Sequence, residues 1–357
     1  MDVLIESVIE SGKVGSPMLK SFKSPSQRNL IAVECGTNTL RLLQLAGNGT
    51  SAVVQAVAVI TGAGFNSEQS AGDEAAIRRI KEALRGGGFS GRACALSLPA
   101  KSILTESIEV PALANDEMKE SVSWTAVDRL GVDRSEVVAG HLPIRAGTLG
   151  GPTSEVLVVA TRRESVNRAV VLLTKAGLEP QRAELGALAA MRLAWGQIKA
   201  SATLPHFAFL HLESDRATLA LLNSSGLIFH RSFAWESSAD LAHGAIPVAG
   251  EENESHAWRW RQMAEEMLLC LRHVERRSAG SWPEFVLLSG ALAEEPGAAS
   301  AIRSVCGAET RAMDLEQFSD WSKVKRPSGS LSAWTSLVSV ALPKASIVAP
   351  KTKRKVA

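Results

Sequence analysis

The sequence predicts an α/β protein built from two similar lobes with a cleft between them. A block of three short β-rich runs followed by a helical pattern occurs twice, first within residues 30–86 and again within residues 207–276. The two copies are too far apart for the period of a solenoid, so the pattern indicates a duplicated lobe. The chain has 357 residues, with 45% hydrophobic and 21% charged residues. This length and composition are typical of a globular chain of roughly two to three domains.

Turn residues and hydrophobic spacing define the elements of the first half. Gly36-Thr37-Asn38 and Gly47-Asn48-Gly49 separate three β-rich runs, and both triplets suit tight turns because Gly and Asn tolerate a positive φ. A helical pattern starts at Asp73 and ends at the glycines 86–88. The predicted strands are residues 30–35, 40–45, 52–60 and 94–98.

The middle block, residues 99–162, predicts a small α/β unit in the order strand, helix, strand, strand. Asn115 is an N-cap residue, and Asp116 and Glu117 in the first helical turn suit the helix dipole. A Gly-rich loop at 147–151 separates the last two strands. The predicted elements are a strand at 103–110, a helix at 115–130, and strands at 137–144 and 155–160; a further amphipathic helix is predicted at 164–176.

The second half repeats the three-strand opening and continues into a long helix. Trp260, Met267 and Leu271 belong to an apolar set at helical spacing and are expected to face the core, whereas Trp258 is expected to be exposed. The predicted strands are 207–212, 218–222, 227–233 and 285–288, and the predicted helices are 255–276, 298–305 and 330–342.

The composition argues against several classes of protein. A formal net charge of +2 gives no field that indicates a nucleic-acid partner. The longest apolar runs, such as 156–160, fall far short of the roughly 20 residues that span a bilayer, and we expect no signal peptide within residues 1–30. The four cysteines are far apart without a CxxC pair, which predicts reduced thiols of an intracellular protein rather than disulfides or a zinc site.

Both ends of the chain are weakly patterned. Residues 1–28 carry scattered Gly, Pro and Lys and are expected to form a flexible arm, with one short helix near residues 3–9. Residues 343–357 form a basic tail, which is either solvated or lies against an anionic membrane surface.

Three turns carry the candidate chemistry. In the first, Gly36 lets the backbone approach a ligand, while Thr37, Asn38 and Thr39 add hydrogen-bond donors; an ordinary hairpin is the alternative. Arg41, on the strand that follows, is a candidate phosphate partner. The equivalent turn of the second half begins at Glu213 and has no glycine, so its side chains and acids disfavour a phosphate.

The third turn, Ser289-Gly290, links a strand to a helix and either covers an adenosine or is an ordinary strand exit. The sequence contains no Ser/His/Asp arrangement, HExxH, Walker A or GxGxxG motif, and its seven histidines lack metal-ligand spacing. The residues alone therefore point to no catalytic centre and no metal site.

Residues 30–45 resemble the opening phosphate loop of the PilM family of type IV pilus assembly proteins, in the FtsA-like branch of the actin-like ATPase superfamily. Further segments that resemble the family follow in the same order, at 95–99 with 108–111, at 156–163 with 176–180 and 185–193, and at 286–290. The resemblance implies a two-lobe, actin-like (ribonuclease H-like, duplicated) α/β fold with an FtsA/PilM-type inserted subdomain. The implied organisation is an N-terminal arm at 1–28, a first lobe at 29–98 and 163–200, an inserted subdomain at 99–162, a second lobe at 201–342 and a tail at 343–357.

The sequence departs from the family pattern where a nucleotide would bind. Glu34 stands where Asp is usual and Arg41 where Lys is common. His211 and Glu213 occupy the second phosphate loop, which normally reads Asp-x-Gly. If a nucleotide site is retained, the resemblance assigns it to Glu34, Gly36, Thr37, Asn38, Thr39, Arg41, Ser289 and Gly290. We expect a degenerate site with little or no ATPase activity, so no cofactor is expected and Mg-ATP is doubtful.

The resemblance also implies a partner. PilM-like proteins lie on the cytoplasmic face of the inner membrane and grip the cytoplasmic N-terminal segment of PilN, a single-pass membrane protein, between the first lobe and the inserted subdomain. Carried over to this chain, the groove candidates are Ser97, Leu98, Ile103 and Thr105. Self-association is open, and no nucleic-acid partner is expected.

Three alternatives remain open at this point. The first is a working actin-like ATPase switch, against which the second phosphate loop argues. The second is an FtsA-like membrane tether for cell division, which needs a C-terminal amphipathic helix; the tail has Pro343 and Pro350 and no apolar stripe. The third is a type II secretion component with the same cytoplasmic fold.

Overall fold

The computed structural model describes residues 30–36, 39–47, 52–61, 70–98, 100–111, 115–144, 153–199, 206–214, 216–223, 226–235, 251–277 and 280–342. The expectations for the N-terminal arm, the basic tail and the turn residues Thr37 and Asn38 lie outside these residues.

The first sheet has five strands in the order β3-β2-β1-β4-β8. The first three strands form an antiparallel meander, β4 lies parallel to β1, and β8 lies parallel to β4. This confirms the meander predicted from the Gly- and Asn-containing turns. The strands are β1 (Ile31–Cys35), β2 (Thr39–Ala46), β3 (Val53–Thr61), β4 (Ala93–Leu98) and β8 (Glu179–Leu185).

The second sheet repeats this topology in the order β11-β10-β9-β12-β13. Its first three strands are again an antiparallel meander, followed by two parallel strands. The identical order of the two sheets shows that the lobe is duplicated. The strands are β9 (Phe207–Leu212), β10 (Arg216–Asn223), β11 (Gly226–Ala234), β12 (Phe285–Ser289) and β13 (Glu309–Ala312).

A third, antiparallel sheet in the order β5-β7-β6 lies between β4 and β8 in the chain. Its strands are β5 (Ile103–Pro111), β6 (Val137–Ile144) and β7 (Thr153–Arg162). We call this sheet and the helix between β5 and β6 the inserted subdomain. Its element order is the predicted strand, helix, strand, strand, whereas the predicted domain boundaries stay predictions.

Seven α-helices cover the sheets in the described residues. They are α1 (Ser70–Gly86), α2 (Asn115–Leu130), α3 (Arg163–Lys175), α4 (Gly186–Lys199), α5 (Glu251–Arg277), α6 (Ala298–Cys306) and α7 (Thr335–Ala341). On β9, Phe207 and Phe209 face the main core, while Ala208 and Leu210 face α5 and α6, as expected for a strand buried on both sides. Trp260 on α5 is buried and Trp258 is 51% exposed, as predicted.

The inserted subdomain packs on both of its faces. Val122 and Ala126 of α2 cover one face of its sheet, and Leu142 and Leu157 on the other face belong to the main core. Arg277, at the end of α5, forms ion pairs with Glu155 at 3.1 Å and Glu109 at 3.7 Å. The second lobe therefore holds the inserted subdomain through a charged contact as well as through apolar packing.

The last helix of the second lobe, α7, returns to the first lobe. Every residue of α7 is buried. Ser339 Oγ donates to the Ala189 carbonyl of α4 at 2.5 Å, and Arg192 donates to the Ser339 carbonyl at 3.2 Å. Arg192 is in turn paired with buried Glu184 at 2.7 Å. These contacts bind the end of the second lobe to the first.

The structure corrects one predicted element and adds two strands that the sequence did not reveal. The single helix predicted at 330–342 is wrong, because a 3₁₀ turn at Leu331–Trp334 precedes the shorter α7. The hydroxyl of Ser330 accepts the Ser332 N–H at 3.0 Å, which closes this tighter turn. The strands β8 and β13 were not predicted from the pattern, because both carry charged residues and β13 has only four residues.

Candidate functional site

The first predicted turn brings a carboxylate and a guanidinium together at the edge of the cleft between the lobes. Glu34 on β1 and Arg41 on β2 are direct partners in the antiparallel register, and Arg41 Nη1 lies 3.1 Å from Glu34 Oε1. Their side chains are 21% and 23% exposed. The short turn is closed by a hydrogen bond from the Gly36 N–H to the Thr39 carbonyl at 2.9 Å.

The C-terminal part of the second lobe binds both members of this pair. Ser336 Oγ donates to Glu34 Oε2 at 2.9 Å, and Arg41 Nη1 donates to the Ala333 carbonyl at 3.2 Å. Both carboxyl oxygens of Glu34 therefore have protein partners, and Arg41 has two protein partners, Glu34 and the Ala333 carbonyl. Glu34 and Arg41, which were predicted to belong to a nucleotide site, are bonded to residues 333–336 instead.

Burial sets the ionisation of Glu34. Desolvation raises the pKa of its carboxyl, the Arg41 guanidinium opposes this shift, and the Glu213 carboxylate adds to it. Glu213 follows β9 of the second lobe and lies close enough to Glu34 for their charges to interact. The Glu213 carboxylate would repel an anion placed beside Glu34.

Residues of the second predicted phosphate loop form hydrogen bonds with other residues of the second lobe. His211 is buried on β9, and its Nδ1 lies 3.0 Å from Ser289 Oγ on the neighbouring strand β12. His211 Nε2 lies 3.7 Å from Glu213 Oε1. The Glu213 carbonyl accepts the Trp235 indole N–H at 3.0 Å. The structure therefore brings His211, Glu213 and Ser289 together in one hydrogen-bonded and charged group.

Gly290 in the third turn occupies a position that no other residue fits without strain. Gly290 has a φ of +96°, and a Cβ at this position would overlap the backbone of Leu212. Its N–H donates to the Ser332 carbonyl at 3.0 Å. The close approach of two backbone segments explains this glycine without a ligand.

Two of the four predicted groove residues lie in the first sheet and two lie in the third sheet. Ser97 and Leu98 end β4, which lies between β1 and β8, and are buried, with 1% and 2% exposure. Ile103 at the start of β5 is also buried, and Thr105 is half-buried on the same edge strand. Of these four residues, only Thr105 has appreciable exposure.

A cavity lies between the first lobe and the inserted subdomain, away from these four residues. It has a volume of about 480 Å³ and is bounded by α1, by one face of α3 and by the segment before β6. Its apolar lining includes Ile77, Val132, Val171 and Leu172, and Val171 is 51% exposed. This cavity was not predicted from the sequence, although the sequence does show the amphipathic pattern of α3.

Arginines at the start of α3 hold the rim of this cavity. Arg163 donates to the carbonyls of Ser135 at 2.7 Å and Val137 at 3.1 Å in the inserted subdomain. Arg162 donates to the Leu130 carbonyl at 3.2 Å. The charged lining consists of four cations and two acids, which are Arg162, Arg163, Arg168 and Lys175 with Glu136 and Glu164.

Three further observations concern the described residues alone. They contain no group of three or more His, Cys, Asp or Glu side chains placed to hold a metal ion. None of their helices combines the length and the apolar character that a membrane crossing requires. The four cysteines, which all lie among them, are buried and free.

Comparison with known proteins adds a family and a fold. A family model described as type IV pilus assembly protein PilM matches residues 32–237. A solved structure of a PilM–PilN type IV pilus biogenesis complex matches with a TM-score of 0.69 and 20% identity, over 87% of this chain and 97% of that one. This likeness and the repeated sheets confirm the two-lobe actin-like fold.

Two more distant structures were also found. One is a Bacteroides thetaiotaomicron protein with an actin-like ATPase fold and unknown function, with a TM-score of 0.47 and 8% identity over 90% of this chain and 99% of that one. The other is the cytoplasmic domain of EpsL from the type II secretion system of Vibrio cholerae. It matches with a TM-score of 0.43 and 14% identity, over 88% of this chain and 94% of that one. A search of curated proteins found no match.

Proposed function

The chain belongs to the PilM family of type IV pilus assembly proteins, and we propose that it is a scaffold of the pilus assembly platform on the cytoplasmic face of the inner membrane. In this role it binds the cytoplasmic N-terminal segment of a PilN-like membrane protein. The observation that carries the proposal is the likeness to a PilM–PilN complex over 87% of this chain. A cavity at the seam between the first lobe and the inserted subdomain supports it.

We place the peptide in the cavity bounded by α1, α3 and the inserted subdomain. An extended segment supplies backbone hydrogen bonds and inserts alternate side chains into pockets. Val171 offers an exposed apolar surface on α3, with Ile77 of α1 and Val132 of the inserted subdomain on the opposite walls. Burying these side chains under a peptide would contribute roughly 25 cal/mol per Å² of apolar surface covered.

The arginine contacts explain how this cavity keeps its shape. Arg163 ties the start of α3 to two carbonyls of the inserted subdomain. On the far side, Arg277 ties the same subdomain to the second lobe. A groove held between fixed walls loses little conformational entropy when a peptide enters, which favours affinity.

We further propose that the nucleotide site is degenerate. The described cleft residues are a poor fit for the phosphates of Mg-ATP, because the Glu213 carboxylate lies within electrostatic range of Glu34 and would repel them. Arg41 is engaged by Glu34 and the Ala333 carbonyl, and Ser289 is engaged by His211. Mg-dependent ATP turnover by the purified protein would contradict this part of the proposal.

A peptide titration with a groove variant tests the proposed binding site. The ligand is a synthetic peptide with the cytoplasmic N-terminal sequence of the PilN-like membrane protein proposed as the partner. We expect Val171→Glu to weaken binding at least about tenfold, since it places a charge on the apolar wall. Leu269→Glu is the matched control, because Leu269 is 57% exposed on α5. Equal affinity for the two variants would reject the site, and absence of binding by the unmodified protein would reject the function.

A further inference from the structure

The cavity beside α3 has an apolar wall that the described residues leave half-exposed. Val171 on α3 is 51% exposed, although it is a large hydrophobic side chain, and Ile77, Val132 and Leu172 line the same cavity. The volume of about 480 Å³ falls within the roughly 300–1,000 Å³ of pockets that take up small ligands. The cavity therefore suits a few apolar side chains of a short segment and not a folded domain.

The charged lining of this cavity selects an acidic occupant. Four basic side chains line it against two acidic ones. Arg168 lies on α3 one turn before Val171, and Lys175 lies one turn after it and is exposed. An excess of positive charge around an apolar wall attracts a segment that is apolar on one side and acidic beside it.

One segment of the chain has this chemistry. Residues 2–10, which lie outside the described residues, have the sequence DVLIESVIE, with five apolar residues, three acids and no basic residue. We call residues 2–10 the acidic segment. The sequence predicts a short helix near residues 3–9, and helical spacing would place the apolar residues on one side and the acids in a row beside them. The apolar side comprises Leu4, Ile5, Val8 and Ile9, and the row comprises Asp2, Glu6 and Glu10.

We propose that the acidic segment binds in this cavity of its own chain, with its apolar side against Val171 and its acids beside Arg168 and Lys175. An amphipathic helix that lays its apolar face into a hydrophobic groove is a common mode of recognition. Charge favours this end of the chain over the other, because residues 351–355 have the sequence KTKRK and would be repelled by the basic lining.

The connection to β1 is long enough for this contact. Residues 11–29 join the acidic segment to the first sheet and span at most about 65 Å when fully extended. Ile31 pairs with Cys94 and Cys94 pairs with Pro180, so Ile31 lies about 10 Å from Pro180 across two strand spacings. Pro180 follows Lys175 by five residues, which adds at most about 18 Å. The Lys175 end of the cavity is therefore within about 30 Å of the start of β1.

Binding of the acidic segment would regulate the partner site. The docking itself is independent of the proposed function, whereas this consequence rests on it, because the PilN-like peptide is proposed to bind in the same cavity. A competitor within the chain lowers the apparent affinity for the partner in proportion to the fraction of chains whose cavity is open. Loss of the competing segment therefore tightens partner binding.

Disulfide trapping in the full chain tests the contact without the partner. The four native cysteines are buried, which keeps the background low. Under mild oxidation, Ile5→Cys with Val171→Cys should form an intramolecular disulfide at least about fivefold faster than Ile5→Cys with Leu269→Cys, because docking raises the local concentration of the first pair alone. Leu269 is the matched position, 57% exposed on α5. Equal rates for the two pairs, or disulfides that join two copies rather than one chain, would overturn the proposal.

Charge reversal tests the attraction between the acids and the basic lining. Glu6→Lys with Glu10→Lys should slow trapping of the Ile5→Cys and Val171→Cys pair several-fold. Glu284→Lys with Glu309→Lys makes the same change of charge at exposed positions of the second lobe and should leave the rate unchanged. Equal rates in the two charge variants would contradict the charged contact.

Calorimetric titration with the PilN-like peptide separates the regulation from the proposed function. We expect Glu6→Lys with Glu10→Lys to bind the peptide several-fold more tightly than the unmodified protein and the Glu284→Lys, Glu309→Lys control. Equal affinity of the three proteins would overturn the competition. Absence of binding by all three would reject the proposed function, while the trapping rates decide the docking by themselves.

Discussion

The buried imidazole of His230 gives this protein a predictable loss of stability in acid. His230 lies on β11 with 5% exposure, and neither ring nitrogen has a hydrogen-bond partner among the described residues. Burial lowers the pKa of this histidine from 6.5 to about 4. The folded protein therefore holds His230 neutral at pH values where the unfolded chain protonates it.

The size of the effect follows from proton linkage. Lowering the pKa from 6.5 to about 4 corresponds to at most about 3 kcal/mol of stability. Because the folded pKa is lowered, this stability is complete above about pH 6.5 and is lost as the pH falls toward 4. The same linkage gives a loss of about 2 kcal/mol at pH 5 and about 3 kcal/mol at pH 4.

Urea unfolding measures this loss directly. The free energy of unfolding is compared at about pH 7 and about pH 5 for the unmodified protein and for His230→Leu. We expect the unmodified protein to lose about 2 kcal/mol more than the variant over this interval. His273→Gln is the control, because His273 is exposed on α5, and it should behave like the unmodified protein. An equal pH dependence for His230→Leu would refute a buried, neutral imidazole.

The remaining predictions concern the cleft and the subdomain contacts. Gly290→Ala should lower the free energy of unfolding by about 3 kcal/mol or more, whereas Gly307→Ala, at a positive φ with open space, should cost about 1 kcal/mol in the same urea assay. Because the pKa of Glu34 is raised in the folded protein, its protonated carboxyl contributes stability that is present below pH 4.5 and is lost as the pH rises through the pKa of the folded state. Glu34→Gln should remove this pH dependence of the free energy of unfolding. An unchanged pH dependence in Glu34→Gln would contradict the raised pKa. Arg277→Glu should destabilise by about 1 kcal/mol through repulsion from its two carboxylate partners, and Arg276→Glu should change little; equal effects in thermal unfolding would argue against the ion pairs.

The sequence was informative where local pattern and structure agree. Gly and Asn in the turns, together with short β-rich runs, predicted both meanders, and Asn115 predicted the start of α2. β8 escaped prediction because its buried Glu184 is tolerated only through ion pairs with two arginines. Arg182 lies on the same strand, but Arg192 lies on α4 and meets Glu184 only in the folded chain, which no local pattern reveals.

At the candidate site too, the sequence did not reveal contacts between residues that are far apart in the chain. Glu34 and Arg41 were expected to act together, and the structure pairs them across adjacent strands. Their further contacts with Ser336 and Ala333 join residues about 300 positions apart in the chain, which spacing alone does not indicate. The groove cavity was missed for a similar reason, because its walls come from two helices and the inserted subdomain.

Calorimetric titration with the PilN-like peptide, with and without Mg-ATP, tests the central claim most directly. A scaffold with a degenerate nucleotide site should bind the peptide with one site per chain and with the same affinity in both conditions. An affinity that changes several-fold with Mg-ATP would contradict the degenerate site and restore a nucleotide switch. Absence of binding in both conditions would contradict the scaffold function itself.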